Sequence, residues 1–582
     1  IRELTVEQRQ ALLDSLRFSD IEKRQMTIKH AYDTTCDWIF ECPEYMSWSA
    51  LSNNMKEDPF LWIRGNSGSG KSTIIKFAFT YHRTRQGDDS RIAFFFDARG
   101  TDLQKTAKGV YRSLLLQILK GTEEIPREIH ALEQSMRGGF STWQTSALKE
   151  LLEYFIPRSG RPTFCFIDAL DECQRSDSRD VITFFARLSE LCAKKQIIFR
   201  VCFSSRYDPR IPTQDRRRVC LEEQEGHNLD ILRYIEHKLQ TRPGIPTQAT
   251  QQALKRKASG VFLWAMLVVG TLNKDPDWGR RCSFRDRLDM IPADLHELYR
   301  HILTPKREND SEDKLLLCLQ WILFAKKPQT PMELYFAILS DANPEALRTM
   351  RESARNQPTE DLAAKFLLDA SKGLVEITHA HVPVVQFIHE SLPKFLHSDY
   401  AIGQIWRERQ SAFQGNSHDR LKRCCLRFLE GLATPASGTL DEVEFPNYCH
   451  QKDGGKWTQS LCSSKDHLPP SLDPLPIFAR YAVENILYHA NEAERNGVTQ
   501  AQLSQYFPLT HWIQLVNTLS DQPLYTPKAS LLYILAEQNM SELIAAHPHR
   551  LSYLNPEQEL YGSPFFVALA KANIDTIRSF FR

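Results

Sequence analysis

The sequence has no long apolar run. Its most apolar stretch, GVFLWAMLVVG from Gly260, is only about half as long as the roughly 20 residues that cross a bilayer. We therefore interpret this stretch as a buried helix and predict no transmembrane segment.

The chain also lacks a charge imbalance and a cysteine framework. Lys and Arg total 73, Asp and Glu total 72, and the formal net charge is +1, so no overall field favours nucleic acid as a partner. The 13 cysteines include no C-x-x-C pair. Their odd number and the adjacent Cys424 and Cys425 indicate reduced thiols. This cysteine usage predicts a reducing, cytoplasmic location.

The region 56–225 contains short apolar runs that are separated by amphipathic stretches. Segments such as VYRSLLLQIL from Val110 and VITFFARLSELC from Val181 show helical spacing. Such alternation is typical of an α/β fold, in which a parallel sheet carries helices on both faces. The predicted strands are 60–63, 92–96, 164–167, 198–203 and 219–221.

A helical linker is predicted before this core, over residues 1–55. Ile28, Ala31 and Trp38 recur at helical spacing. Pro43 is expected to end that helix, because proline does not continue a helix interior.

After the core, strand patterns give way to helical ones near Gly226. We predict a helical lid domain over 226–304 and a winged-helix-like domain over 305–410. The second of these contains a helix-turn-helix pattern, and the apolar runs at Leu374 and Val382 are expected to form its wing.

The C-terminal part is predicted to be α-helical. Residues 411–525 mix helical patterns with a polar loop near 435–470 that we expect to be mobile. Residues 526–582 contain two similar stretches, SLLYILAEQNMSELI and SPFFVALAKANIDTIRSFF, at close to the roughly 33-residue ankyrin period. We interpret them as the start of ankyrin-like repeats and expect more beyond Arg582. The equivalent pairs are Ala536 with Ala570, Asn539 with Asn573, and Leu543 with Ile577.

A glycine-rich loop lies between the first predicted strand and a predicted helix. GNSGSGKS fits the pattern G-x-x-x-x-G-K-S, whose amides bind phosphate oxygens. Lys71 is predicted to reach the β- and γ-phosphates of a nucleotide, and Ser72 to bind Mg²⁺. The predicted nucleotide-binding residues here are Gly65, Asn66, Ser67, Gly68, Ser69, Gly70, Lys71, Ser72 and Thr73.

Two later strands end in side chains that suit the same site. FCFIDALDEC places Asp168 at a strand end, where its carboxylate is predicted to hold Mg²⁺. Asp171 or Glu172 is predicted to polarise an attacking water. The strand before Tyr207 ends in Ser-Ser-Arg, and Arg206 is predicted to sense the γ-phosphate, because ligands of open α/β sheets bind at that edge.

Together these stretches resemble the NACHT family of signalling NTPases, in the form found in fungal NLR-like proteins with a nephrocystin-3-like N-terminal domain. The resemblance covers about residues 10–400. It implies a P-loop NTPase core with strand order 5-1-4-3-2, followed by a helical and a winged-helix domain. The motifs that carry it are SLRFSDIEKRQMTI, FLWIRGNSGSGKST, FFFDARG, YRSLLLQIL, FIDALDEC, the strand ending in SSR, SGVFLWAMLVV and VQFIHESLPKFL.

The resemblance also implies a role for His389. In the family, a winged-helix histidine contacts the β-phosphate of bound ADP, and His389 in VQFIHESL is the matching residue. The glycine-proline motif that many relatives use near the adenine is not evident. SGVFLWA stands in its place, which leaves base recognition open.

From this we predict a STAND-class switch that binds Mg-ATP or ADP and oligomerises when ATP is bound. A protein partner would be recognised by the C-terminal repeats, and an effector domain would precede Ile1. GTP remains possible, although the guanine signature N-K-x-D is absent, because Asn273-Lys274 is followed by Asp275-Pro276.

Two alternatives stay open. One is an AAA+-like ATPase with steady turnover, which needs an arginine at a subunit interface; Arg99 and Arg112 are candidates. The other is a scaffold in which the nucleotide is structural. Whether hydrolysis is more than slow is likewise open.

Overall fold

The computed structural model separates into two compact units. The first comprises Ile1–Lys306, Lys372–Pro383 and Phe387–Ala401, and the second Arg307–Ser371, Val384–Gln386 and Ile402–Arg582. Segment 305–410, predicted as one domain, contributes to both. The structure describes residues 4–18, 20–51, 58–84, 89–122, 125–126, 143–174, 176–207, 217–240, 247–274, 288–304, 310–342, 358–378, 382–397, 412–432, 448–453, 456–461, 477–520 and 522–581.

Among its described residues, the N-terminal segment contains three short α-helices, α1 (Val6–Leu16), α2 (Lys23–Thr27) and α3 (Pro43–Ser49), and a 3-10 helix at Asp37–Glu41. The helix predicted through Ile28, Ala31 and Trp38 is wrong, because residues 28–36 are not helical and Cys36 has a φ of 77°. Pro43 begins α3 instead of ending a helix. Proline suits a first helical position, where no amide partner is needed.

A five-stranded parallel sheet forms the centre of the first unit. Its order is β2-β3-β4-β1-β5, which is 5-1-4-3-2 when read from the opposite edge. The predicted parallel sheet is thus confirmed. The strands are β1 (Phe60–Arg64), β2 (Ser90–Phe95), β3 (Thr163–Asp168), β4 (Phe199–Ser205) and β5 (Arg217–Cys220).

Both faces of the sheet are buried. Phe60 and Trp62 of β1 pack into one hydrophobic cluster, and Leu61 and Ile63 pack into another on the opposite face. This alternation follows from the two-residue period of a strand. The helices between the strands are α4 (Lys71–Thr84), α5 (Ala107–Lys120), α6 (Thr145–Phe155) and α7 (Asp177–Lys194).

Helices follow β5 in the first unit. The apolar stretch at Gly260 forms the helix α10, in which Trp264 is fully buried. Across the described ranges no helix is long and apolar enough to cross a membrane. These helices are α8 (Glu225–Lys238), α9 (Thr247–Ala258), α10 (Phe262–Lys274) and α11 (Leu295–Leu303).

The second unit begins with the helix-turn-helix expected from the sequence, α12 (Asp310–Phe324) and α13 (Pro331–Ala342). After α14 (Glu360–Ala370) come β6 (Val375–Ile377), which belongs to the first unit, and β7 (Val385–Phe387), which is divided between the two units. Both strands are at the positions predicted for a wing. That these elements form a winged-helix domain stays a prediction. The later elements are α15 (Ser391–Leu396) in the first unit and, in the second, α16 (Phe413–Leu432), β8 (Tyr448–Asp453), β9 (Lys456–Leu461), α17 (Ile477–Arg495), α18 (Leu503–Tyr506) and α19 (Leu509–Leu519). Most of the loop predicted near 435–470 lies outside the described residues.

Two similar helix pairs end the chain. Ser530 and Ser563 cap the first helix of each pair by accepting a backbone N–H three residues later. The amide of Asn573 donates to the carbonyl oxygens of Ala536 (2.8 Å) and Glu537 (2.9 Å), which joins the second pair to the first. Their assignment as ankyrin-like repeats stays a prediction. The four helices are α20 (Leu531–Glu537), α21 (Ser541–Ala546), α22 (Pro564–Ala570) and α23 (Ile574–Phe580).

Candidate functional site

The glycine-rich loop, residues 65–70, connects the carboxyl end of β1 to α4. Gly68 and Gly70 have φ of +81° and +103°, a backbone region that glycine adopts at little cost. A Cβ at Gly68 would lie 2.9 Å from the Cβ of Leu263, whereas one at Gly70 would meet nothing within 4 Å. Position 68 therefore requires glycine for both backbone and packing.

The loop is anchored from two sides within the first unit. The N–H of Asn66 donates to the carboxylate of Glu222 (2.5 Å), which also accepts from the hydroxyl of Tyr207 (2.8 Å). On the other side, the N–H of Leu263 donates to the carbonyl oxygen of Gly68 (3.0 Å). Glu222 was not predicted from the sequence, although its position directly after a predicted strand was a usable signal.

Lys71, the first residue of α4, turns back over the loop. Its ammonium group donates to the carbonyl oxygens of Gly65 (2.9 Å) and Asn66 (2.6 Å). Burial lowers the pKa of Lys71, and the nearby carboxylates of Asp171 and Asp168 partly offset that effect. The side chain is therefore partly buried and held at the mouth of the loop.

Asp168 ends β3 and is fully buried. Its Oδ1 accepts from the hydroxyl of Ser204 on β4 at 2.5 Å. Burial raises the pKa of Asp168, while hydrogen bonding from Ser204 and Ser72 lowers it in part. Its Oδ2 has no partner that meets hydrogen-bond geometry among the described residues. An acidic oxygen left open beside the Ser72 hydroxyl is a donor set of the kind that Mg²⁺ accepts.

The acidic turn after β3 is bound to the end of β4. Arg206 donates to Asp171 from its backbone N–H (3.1 Å) and from Nε (2.5 Å). Its Nη1 lies 3.8 Å from the carboxylate of Glu390, which the chain contributes nearly 200 residues later. Arg206 thus joins two carboxylates from separate parts of the first unit.

Glu172 and Glu390 form a coupled acidic pair. Burial raises the pKa of Glu172 well above its ordinary range, and the Glu390 carboxylate raises it further. Burial by itself would raise the pKa of Glu390, but hydrogen bonds with Glu172 and Lys394 outweigh it and lower the pKa of Glu390 to about 2. The charged form of Glu390 is also favoured by Lys394, whose ammonium group lies 2.9 Å from its carboxylate.

His389 lies next to this pair and is neutral. Its Nδ1 accepts the backbone N–H of Ser391 (3.1 Å), which leaves the ring proton on Nε2. Burial lowers the pKa of His389 to about 3. The imidazole is therefore a neutral hydrogen-bond donor at ordinary pH.

These parts of the chain line one cavity of ≈ 410 Å³ in the first unit, within the size range of small-molecule sites. Gly65, Asn66 and Asp168 do not line it directly, and Asp168 lies behind its surface. Apolar walls come from Tyr234, which was not predicted from the sequence, and from Phe262 of the SGVFLWA stretch. The predicted residues that line the cavity are Ser67, Gly68, Ser69, Gly70, Lys71, Ser72, Thr73, Asp171, Glu172, Arg206 and His389.

The arginines considered for a subunit-interface role differ in their contacts. Arg112 donates to the carbonyl oxygens of Ser15 (2.7 Å) and Arg17 (2.9 Å), so it is engaged within its own unit. Arg99 lies 3.5 Å from the carboxylate of Asp97. Neither lines the cavity.

Comparison with known proteins gives a partial match. Residues 34–206 match the family model described as nephrocystin 3, N-terminal. No curated protein matches the chain. Among solved structures, Cdc6p from Pyrobaculum aerophilum is similar at 13% identity with a TM-score of 0.27, covering 68% of this chain and 98% of that one. The Orc1 protein of Aeropyrum pernix, solved in complex with DNA, is similar at 13% identity with a TM-score of 0.27, covering 64% and 96%.

Proposed function

We propose that this protein is a nucleotide-dependent signalling switch that binds Mg-ATP or ADP in the cavity of the first unit. The proposal rests on one observation, which is that distant parts of the chain meet at a single cavity. The glycine-rich loop, the acidic turn after β3, Arg206 and His389 come from four parts of the chain and line the same cavity.

The loop and the first turn of α4 suit the phosphates of a nucleotide. Backbone amides and the positive end of a helix favour anions there, and the Lys71 ammonium group lies at the mouth of the same loop. Ser72 and Asp168 would hold Mg²⁺, which supplies positive charge against the phosphate oxygens. ATP is the default nucleotide, and GTP remains a candidate.

Reading the nucleotide would fall to Arg206 and His389. Arg206 is a sensor of the γ-phosphate that exchanges its bond with Asp171 for a phosphate, and His389 donates from Nε2 to the β-phosphate of ADP. A switch responds only to the difference in affinity between its two forms. Moving it from mostly closed to mostly open requires roughly 5 kcal/mol, which buried charged contacts are able to supply.

The output of the switch would be the assembly of several copies of the protein. The helix pairs α20–α23 recognise a protein partner, and the ATP-bound form assembles into a homo-oligomer. Asp171, Glu172 and Arg206 support slow hydrolysis at most. Ten cysteines are free thiols in the part of the chain that the structure describes, which favours action in the cytoplasm.

The test uses the full chain with Lys71→Ala and, as control, Lys23→Ala at a half-exposed position. Lys71→Ala is expected to weaken ATP and ADP binding by about tenfold or more, since it removes a charge-assisted contact. Particle mass by light scattering should rise with a non-hydrolysable ATP analogue in the parent chain and in Lys23→Ala only.

Other outcomes select the alternatives. Unchanged affinity in Lys71→Ala would mean that the site is misassigned. Steady turnover above about 1 per second would favour an AAA+-like ATPase. Normal binding without a mass change would favour a scaffold, and competition between ATP and GTP would identify the base.

A further inference from the structure

Arg24 lies in the cavity although no phosphate-binding pattern includes it. It belongs to α2 and shares the cavity lining with Lys71 and Ser72. Its Nε is buried and has no hydrogen-bond partner in the described part of the chain. A buried guanidinium with an open donor is costly unless a ligand completes it.

The position of Arg24 is set by the core and not by α2 itself. A five-residue helix is too short to be stable alone. Gln104 donates to the carbonyl oxygen of Asp20 (3.1 Å), and Lys76 of α4 donates to that of Ile28 (2.5 Å). Both ends of the segment 20–28 are thus hydrogen-bonded to other parts of the first unit. The end at Ile28 is bonded to α4, the helix that follows the glycine-rich loop.

The charges around Arg24 locate it within the site. Burial opposes its charge, but four carboxylates raise the pKa of Arg24 above its ordinary value. Those four are Glu172, Asp97, Asp168 and Glu390. Asp171, Asp168 and Glu222 likewise favour the charged form of Lys71. Asp168 therefore acts on both cations, while Glu172 and Glu390 act on Arg24.

We propose that Arg24 donates hydrogen bonds to the terminal phosphate of bound ATP, and that it thereby couples the N-terminal segment 20–36 to the nucleotide. This inference rests on the proposed function. Asp168 and Glu172 mark the metal and water side of the site, where the γ-phosphate would lie. A guanidinium fork matches phosphate oxygens in two directions, and ADP offers no such group there.

The coupling follows from the chain itself. Residues Arg24–Cys36 line the cavity along most of their length, and Lys29 forms an ion pair with Glu376 at 2.7 Å. A phosphate that engages Arg24 would order this segment between α4 and the strand β6. The N-terminal part of the protein would then differ between its ATP and ADP forms.

The experiment compares Arg24→Ala, Arg24→Lys and the parent chain, with Arg17→Ala as a control whose side chain is half-exposed. Affinities for Mg-ATP and Mg-ADP are measured by calorimetry. Arg24→Ala should weaken ATP binding by about tenfold or more and ADP binding by about threefold at most. Arg24→Lys should fall between, because it keeps the charge and loses the fork. An unchanged ratio of ATP to ADP affinity in Arg24→Ala would overturn the inference.

A second measurement covers the case in which Arg24→Ala does not fold. Trypsin cleavage between residues 17 and 30 should be slowed by ATP more than by ADP in the parent chain, and the difference between the two nucleotides should be smaller in Arg24→Lys. Equal protection in the parent chain contradicts the coupling. If Lys71→Ala abolishes binding while Arg24 variants keep their ATP preference, only this inference fails. If Lys71→Ala binds nucleotide normally, both the proposed function and this inference fail.

Discussion

The two units each bury a polar cluster, and the clusters differ in how completely they are satisfied. In the first unit, Asp168 and Arg24 each keep a buried polar atom without a partner in the described structure. In the second, His418, His489 and Tyr481 form a chain of contacts. His418 Nδ1 lies 3.0 Å from His489 Nδ1, and His489 Nε2 lies 2.9 Å from the Tyr481 hydroxyl.

The difference indicates what each cluster does. The Tyr481 hydroxyl also accepts the N–H of Lys326 at 3.1 Å, so the chain of contacts ends on backbone. Burial lowers the pKa of both histidines, to about 4 for His418. Both rings are therefore neutral, and two neutral imidazoles complete this chain of contacts. A buried network that is closed stabilises a fold, whereas one with open donors and acceptors calls for a ligand.

Substituting Asp168 is the strongest way to sharpen this contrast. Asp168→Asn keeps the shape and removes the charge, so binding of Mg-ATP should fall by about tenfold or more. Without nucleotide the melting temperature should hold or rise, because a carboxylate whose pKa is raised by burial opposes folding when ionised. Calorimetry with Mg²⁺ and with EDTA separates the metal contribution. A large drop in melting temperature would show that Asp168 is structural.

Tyr481→Phe should have the opposite pattern. It removes the hydroxyl between Lys326 and His489, and an unsatisfied buried group costs about 1–3 kcal/mol. The melting temperature should fall by about 2–4 °C for each kcal/mol, with nucleotide affinity unchanged. Asn517→Ala removes another polar side chain of the second unit. Its melting temperature is the comparison for that of Tyr481→Phe. If Tyr481→Phe altered ATP affinity, the assignment of this cluster to stability alone would be wrong.

The smallest expected effect is on pH dependence. His418 has a folded pKa of about 4, below its unfolded value of about 6.5, so the unfolded chain binds more protons between them. The stability contribution of His418 is therefore present above about pH 6.5 and is lost as pH falls toward 4, by at most about 1.4 kcal/mol per pH unit. Melting curves at pH 7 and 5 should show a smaller drop in His418→Leu than in the parent. An equal drop would contradict the neutral, buried state of the ring.

Local patterns predicted the first unit well where periodicity and turn chemistry act together. The strands, the loop with Gly68 and the acidic turn at Asp168 are each defined by a pattern of only a few consecutive residues. The N-terminal segment shows where such patterns mislead. Ile28, Ala31 and Trp38 have helical spacing, but residues 28–36 follow the cavity wall and use Cys36 at a positive φ. Tertiary contacts outweighed a weak helical preference.

The sequence by itself determined the parallel sheet, the glycine-rich loop and the order in which acidic and basic strand ends appear. These depend on residue period and backbone freedom, which are local. Only the tertiary structure decided that Arg24, Glu222 and Glu390 would join them, because a contact between residues so distant in the chain depends on packing. The same packing partly removes these groups from water, and such burial makes charged side chains costly unless they are paired.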